Sequence, residues 1–371
     1  MSIDSALHFS RDYFEARERF LVASAARGAR IESHPIAAKS LGGESGESGK
    51  SLSIDVAYLG PDSPDCVIAL SSGLHGVEGF AGSAIQHRFL TEQFEGFELP
   101  GSCGVLILHA LNPFGFAVLR RVNESNVDLN RNFMQHPADH VANPGYEELY
   151  DAINPLSLDE EVDVHHRGRL LEYAKEHGFS KLQEVLTVGQ YIHPGGVQFG
   201  GQQPEESNRL VRQIAVDATR GAARVAWIDF HTGLGPWGEV EIIMESPPEA
   251  QDFVRAKAWW GDRVRSTLSG ESVSVAIHGS IEHGLAESLS DRELTATAAE
   301  FGTYDPVRVF SAMRADNWLH RHGTLDSEQG VSIKQELLEV FRPEAPEWGA
   351  RILEVGAGLV EQARQGLCGD A

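Results

Sequence analysis

The sequence is poor in cysteine: Cys66, Cys103 and Cys368 are its only three, odd in number and far apart. No disulfide framework and no CxxC zinc pair can be drawn from them. Cys66 and Cys103 sit in apolar runs and are expected to behave as small core residues. Basic residues are also scarce. The 31 Lys and Arg face 54 Asp and Glu, a formal charge of −23. Such a surface repels phosphate backbones and anionic lipid, so neither nucleic acid nor membrane is expected as a partner. The plain consequence of the charge is solubility. No run approaches the ~20 apolar residues that span a bilayer. Met1 to Arg19 mixes acids and bases without an apolar signal core, so a reducing cytoplasm is the expected home. A GxSxG elbow is missing too. Ser71-Ser72 lacks its flanking glycines, which argues against serine hydrolysis.

Apolar residues make up 42% of the 371, enough for a sizeable core. Ile3 to Arg27 has apolar residues at helical spacing. Ala29–Ile36 and Ser53–Leu59 read as strands, separated by a low-complexity loop, Gly42 to Gly49, expected to be a solvated turn. Cys66–Leu70, Val105–Leu108, Val225–Ile228 and Leu294–Ala299 read as buried strands. Helical patterns fall between them at Gly79–Gln93, Glu205–Thr219, Pro248–Leu268, Pro306–His320 and Trp348–Gln365. The alternation predicts an α/β three-layer sandwich with a twisted, mixed, mostly parallel sheet. From about 135 to 204 the pattern changes to Pro, Gly, His and acidic residues, with short helices at Tyr146–Ile153 and Ser180–Leu186. This stretch is read as an excursion from a single domain covering 1–371.

Open α/β sheets place ligands at the carboxyl ends of their strands. Three apolar runs here end in groups that carry chemistry: His75-Gly-Val-Glu78, Ile228-Asp-Phe-His231 and Ala298-Ala-Glu300. Two imidazoles and a carboxylate are a common catalytic zinc set that leaves one position open for water, whose pKa falls towards ~7. The three-residue step from His75 to Glu78 lets both converge on one ion, and Gly76 permits an unusual backbone there. HxxE alone occurs often by chance.

Asn112-Pro-Phe-Gly115 follows, and then Arg120-Arg-Val-Asn-Glu-Ser-Asn-Val-Asp-Leu-Asn-Arg-Asn-Phe133. With these elements the chain resembles the zinc carboxypeptidase family. Its ordered pattern is HxxE, Asn-Pro-x-Gly, Arg, Asn-Arg-Asn-Phe, a strand-end histidine and a late glutamate, spanning 75 to 301 here. The context of Gly73 to Gly79, Gly189-Gln-Tyr and Trp318-Leu-His looks most like a bacterial branch of that family. The resemblance implies one zinc ion per chain, held by His75, Glu78 and His231. It implies Glu300 as the general base that takes a proton from the metal-activated water and returns it to the leaving amine. Arg121 would polarise the scissile carbonyl, and Asn130 and Arg131 would grip a free carboxylate of a small peptide or N-acyl amino acid. Asp229 is a candidate to orient His231, as zinc-bound imidazoles usually require. The residue-level alternatives are a structural Arg131 paired with Asp128, a core His231 bonded to Asp229 or Thr232, and Glu300 capping nearby backbone.

One departure bears on activity. Family carboxypeptidases often carry a mobile tyrosine on the loop before the final catalytic strand, whereas 271–300 has none. Gly279-Ser-Ile-Glu-His283 resembles that loop in outline, making His278 or His283 a candidate donor. Two other functions compete: an N-acyl amino acid deacylase of the aspartoacylase and succinylglutamate desuccinylase kind, and a non-catalytic metal- or peptide-binding protein. His165, His166, His320 and His322 read as surface residues, and His109 as a possible pocket lining. Gly195 to Gly201 lacks the GK[ST] ending of a phosphate loop and reads as a loop near the cleft.

Overall fold

The computed structural model describes residues 4–36, 51–135 and 142–369, so the Gly42–Gly49 turn lies outside the described residues. Its centre is an eight-stranded sheet: β1 (Arg30–Pro35), β2 (Ser53–Leu59), β3 (Cys66–Ser72), β4 (Cys103–His109), β5 (Arg224–Gly233), β6 (Val240–Met244), β7 (Val264–Ser266) and β8 (Glu293–Gly302). The spatial order is β1-β2-β4-β3-β5-β8-β6-β7. The inner run β4-β3-β5-β8 is parallel, as is β6-β7, while β1-β2, β2-β4 and β8-β6 are antiparallel. The sheet is therefore mixed with a parallel centre. β3 and β4 are buried along their whole length, which is why they read as unbroken apolar runs rather than as alternation.

Helices cover both faces. On one, Ile68, Leu70, Ala226, Ile228 and Phe230 pack under the helices at Tyr13–Ala26, Gly79–Arg88, Gln251–Trp260 and Pro346–Cys368. On the other, Val67, Ala69, Val225 and Trp227 meet Val211 and Ile214 of Glu206–Ala218 and Leu285 of Ile281–Ser288. Burial of these two faces against helices drives the three-layer α/β arrangement. A smaller cluster forms from Tyr146, Leu149, Ile153, Leu170, Tyr173 and Val185, all within the 135–204 stretch. Its main element, the helix Glu160–His177, is too polar to show a core-facing stripe in the sequence.

Several boundaries differ from expectation for identifiable reasons. The first long helix starts at Tyr13 because Asp12 caps it, its side chain accepting from the Glu15 N–H. The helix expected over Pro248–Leu268 stops at Trp260, where Gly261 takes φ +63° and the chain turns into the short strand β7. Cys66 and Cys103 are buried as expected but are also joined by a disulfide, contrary to the sequence reading. They are register partners on adjacent strands, a relation that linear spacing hides. Among the described residues no helix is long and apolar enough to cross a membrane.

Gly76 is where the HxxE segment depends on backbone freedom. Its φ is +38°, and an added Cβ would lie 2.2 Å from the Arg120 carbonyl oxygen and 2.5 Å from the Gly115 carbonyl carbon. Both obstacles are backbone and cannot swing aside. Gly76→Ala is therefore expected to destabilise by well over the ~1 kcal/mol of an ordinary glycine replacement. Gly28→Ala, at φ +71° with open space around it, is the control for conformational strain alone. Thermal unfolding of the two variants checks the difference.

Candidate active site

Strand geometry gathers the polar groups. Successive side chains on a strand alternate between faces, so Trp227, Asp229 and His231 of β5 share one. Ser71 of β3 is the register partner of Asp229, and Glu300 of β8 is that of His231. This face is apolar as far as Val225 and Trp227 and turns polar where the strands end. The strained turn after β3 then brings in His75 and Glu78, both about 3% exposed.

The three side chains meet at a point. His75 Nδ1 and His231 Nδ1 are 3.2 Å apart. Glu78 places Oε1 3.2 Å from the first and Oε2 3.4 Å from the second. Behind the rings, His75 Nε2 lies 3.0 Å from Asp128 Oδ1 and His231 Nε2 lies 2.6 Å from Asp229 Oδ2. A carboxylate behind each ring favours a proton on Nε2, so that both Nδ1 atoms can offer a lone pair to an ion seated between them. Two lone pairs and a carboxylate turned together call for a cation. The donor set fits a tetrahedral metal, since two nitrogens at ordinary Zn–N lengths sit about 3.4 Å apart.

Asp229 is itself held, accepting from Ser71 Oγ at 2.6 Å, while Ser71 Oγ accepts from Trp227 Nε1 at 2.8 Å. A buried chain thus runs from the core to the His231 ring. Asp128 has a second duty. It pairs with Arg121, whose guanidinium also donates to Glu78 Oε1 at 3.2 Å, to Gln198 Oε1 at 3.1 Å and to His75 Nδ1 at 3.1 Å. Burial opposes ionisation of Glu78 and Asp128, but His75 and the neighbouring guanidiniums hold both carboxyls below their usual range. His231 is held well above its usual value against burial by Asp229 and Glu78. Glu300 differs. Burial and the charge of Glu78 push its carboxyl up to about 7, although the Leu234 N–H donates to Oε1 at 2.8 Å.

Asn130 and Arg131 form the next wall. Arg131 donates from Nε and Nη2 to the Thr187 carbonyl at 3.0 and 2.6 Å and from Nη1 to the Asn130 carbonyl at 3.0 Å. Asp128 is 3.7 Å away, so the arginine is anchored mainly by backbone. Asn130 Oδ1 accepts from the Ile281 N–H at 2.9 Å, tying this wall to the loop before β8. In the helix that Ile281 begins, His283 Nε2 is 3.1 Å from Glu245, and His278 before it is exposed, so neither meets the His–Glu–His cluster.

Gln198 is a site residue that the sequence reading did not single out, although its glycine-rich loop was placed near the cleft. It takes φ +59°, a conformation with no side-chain signature in the sequence. His109 does not line the site: fully buried, it bonds Ser83 Oγ at 2.9 Å and stacks on Phe20. His320, expected on the surface, is half-buried with Nε2 2.8 Å from Lys334 Nζ; burial and the cations Arg120 and Lys334 lower it to about 3.

Comparison with protein families gives one match, over residues 9–355, to a protein of unknown function, DUF2817. The chain belongs to the DUF2817 family. No curated protein matches it. Solved structures similar to this DUF2817 chain include carboxypeptidase A from Helicoverpa armigera, at 12% identity over 90% of this chain and 75% of that one, TM-score 0.47. Bovine thrombin-activatable fibrinolysis inhibitor, solved with tick carboxypeptidase inhibitor, is 12% identical over 94% and 97% of the two chains, TM-score 0.42. Succinylglutamate desuccinylase from Chromobacterium violaceum is 15% identical over 88% and 74%, TM-score 0.38.

Loss of the carboxylate behind His231 frees the ring to flip and changes its tautomer. If His75, Glu78 and His231 hold a metal ion, Asp229→Asn in this DUF2817 chain is expected to weaken its binding about 10–100-fold while leaving the fold intact. Competition with a chromophoric chelator measures the first, and thermal unfolding the second.

Proposed function

We propose that the protein is a zinc-dependent hydrolase that cuts an amide or peptide bond in a small substrate bearing a free carboxylate. The observation that carries this reading is the pair of Nδ1 atoms, 3.2 Å apart, with a carboxylate behind each ring and Glu300 in register beside His231. His75, Glu78 and His231 would hold the ion. Zinc bound there supplies a Lewis acid that acidifies water and polarises a carbonyl.

The chain's own groups do the rest. Glu300, with a carboxyl near neutrality, takes a proton from the attacking water and delivers it to the leaving amine. Arg121 keeps one Nη2 N–H beyond its four bonds and donates it to the carbonyl oxygen as negative charge builds there. Arg131 keeps one N–H on each terminal nitrogen beyond its three carbonyl bonds, a two-point match for a substrate carboxylate. Asn130 Nδ2 has no partner among the described residues and is the neighbouring donor. Metallocarboxypeptidase-like action on a small peptide is the first form of this reading. The second is N-acyl amino acid deacylation, favoured by the absence of tyrosine from 271–300. Turnover of N-acyl amino acids without turnover of dipeptides selects the second.

Chelation is expected to abolish hydrolysis and Zn²⁺ to restore it; full activity in metal-free protein would sink the proposal. His231→Ala should lose the metal, whereas Glu300→Gln should keep it and lower kcat by about 10²–10⁴-fold. Metal content and steady-state kinetics on both variants check this. The base works only when deprotonated, so kcat/KM must fall as pH drops through the Glu300 pKa. A neighbouring dication lowers that pKa, which puts the acid limb at or below about 7. A limb well above this value in the pH profile would contradict the assignment.

A further inference from the structure

The parallel strands carry the His–Glu–His cluster at their carboxyl ends; at their amino ends three sulfurs meet. Cys66 opens β3 and Cys103 opens β4, joined by the disulfide. Cys368 ends the last helix, and its Sγ is 3.1 Å from Cys103 Sγ and 3.6 Å from Cys66 Sγ. The sulfur of a third, half-buried cysteine therefore rests directly on the disulfide. Ordinary packing asks only for an apolar group at this spot, which Leu or Val would supply without a reactive atom.

We propose that Cys66, Cys103 and Cys368, once the disulfide is reduced, form a three-thiolate site for a soft, thiophilic cation. Sulfurs around a tetrahedral Zn²⁺ sit about 3.8 Å apart at Zn–S lengths near 2.3 Å, and Cys368 Sγ is already 3.6 Å from Cys66 Sγ and 3.1 Å from Cys103 Sγ. Thiolate and thioether donors select soft ions over Mg²⁺ or Ca²⁺. The three ligands come from two strand starts and a helix end, all fixed by the core on that face, so no chain segment has to fold to complete the site. Burial disfavours a thiolate at Cys368, while Arg224 and Arg364 oppose that penalty. Their guanidiniums would likewise offset the net negative charge of a dication bound to three thiolates.

The chemistry balances in two steps. A phosphine and one water reduce the disulfide to two thiols and become the phosphine oxide. The cation then displaces three protons, one from each thiol, and binds three thiolates. Three thiolates leave the fourth position of a tetrahedral ion to a water or other small ligand.

The test uses the full chain and Cd²⁺ as probe, because sulfur-to-cadmium charge transfer absorbs in the ultraviolet whereas imidazole and carboxylate ligation does not produce that band. Phosphine-reduced protein is expected to develop the band and saturate at one thiolate-bound Cd²⁺ per chain. Unreduced protein should show none and should react with N-ethylmaleimide at Cys368 alone. Cys368→Ser should weaken the band-forming affinity about tenfold or more. Cys103→Ala, which removes a different sulfur, should do the same, with circular dichroism showing that each variant is folded. His231→Ala should leave the band unchanged, so this result stands or falls apart from the hydrolase reading. Reduced wild-type protein without the band, or folded Cys368→Ser and Cys103→Ala with wild-type affinity, would overturn the proposal.

Discussion

Two imidazole Nδ1 atoms and a carboxylate turned towards one buried point require positive charge, from a proton or a cation, between or beside them. Much of the local structure answers that constraint. Asp128 and Asp229 stand behind the rings and hold the protons on the outer nitrogens. Arg121 closes one side, touching Glu78, Asp128 and His75 at once. The site is thus neither a lone ion pair nor an empty hole but a network in which His75, Glu78, Asp128, Arg121 and His231 answer one another, and in such surroundings each interaction is stronger than in water.

The sheet makes this arrangement precise. Parallel β3, β5 and β8 lie side by side, so Ser71, Asp229, His231 and Glu300 rise on one face, all four fixed by register rather than by flexible loop. Only the His75–Glu78 turn departs from regular structure, and it does so at a glycine wedged against two backbone segments. The same face is apolar a few residues earlier, at Val67, Ala69 and Val225, and that packing carries the Trp227–Ser71–Asp229 chain beneath His231. Core and site are one continuous structure here.

Much of this was legible in the residues. The buried strands announced themselves as short apolar runs, and the chemistry-bearing groups stood directly after three of them. Less was legible where local signals conflict. Asp12 competes with the apolar spacing before it and sets the helix start. The helix Glu160–His177 is polar almost throughout and owes its place to packing of Leu170, Tyr173 and Ala174. β6 and β7 are short and lie at one edge of the sheet, and β7 falls inside the stretch whose apolar spacing is helical. Gln198 reaches Arg121 from a left-handed backbone position that no residue pattern marks.

By itself the sequence determined the α/β class and the identities of the strand-end groups, because both follow from local periodicity and from residue types whose chemistry is restricted. Only the tertiary structure decided which groups face one another. Register put Glu300 beside His231 and Cys66 beside Cys103; packing brought Cys368 onto that pair, fixed Arg131 on the Thr187 carbonyl and stacked His109 into the core. Such contacts join residues dozens to hundreds of positions apart. A one-residue shift in strand register would move every side chain of a strand to the other face, so no spacing in the linear chain can specify them.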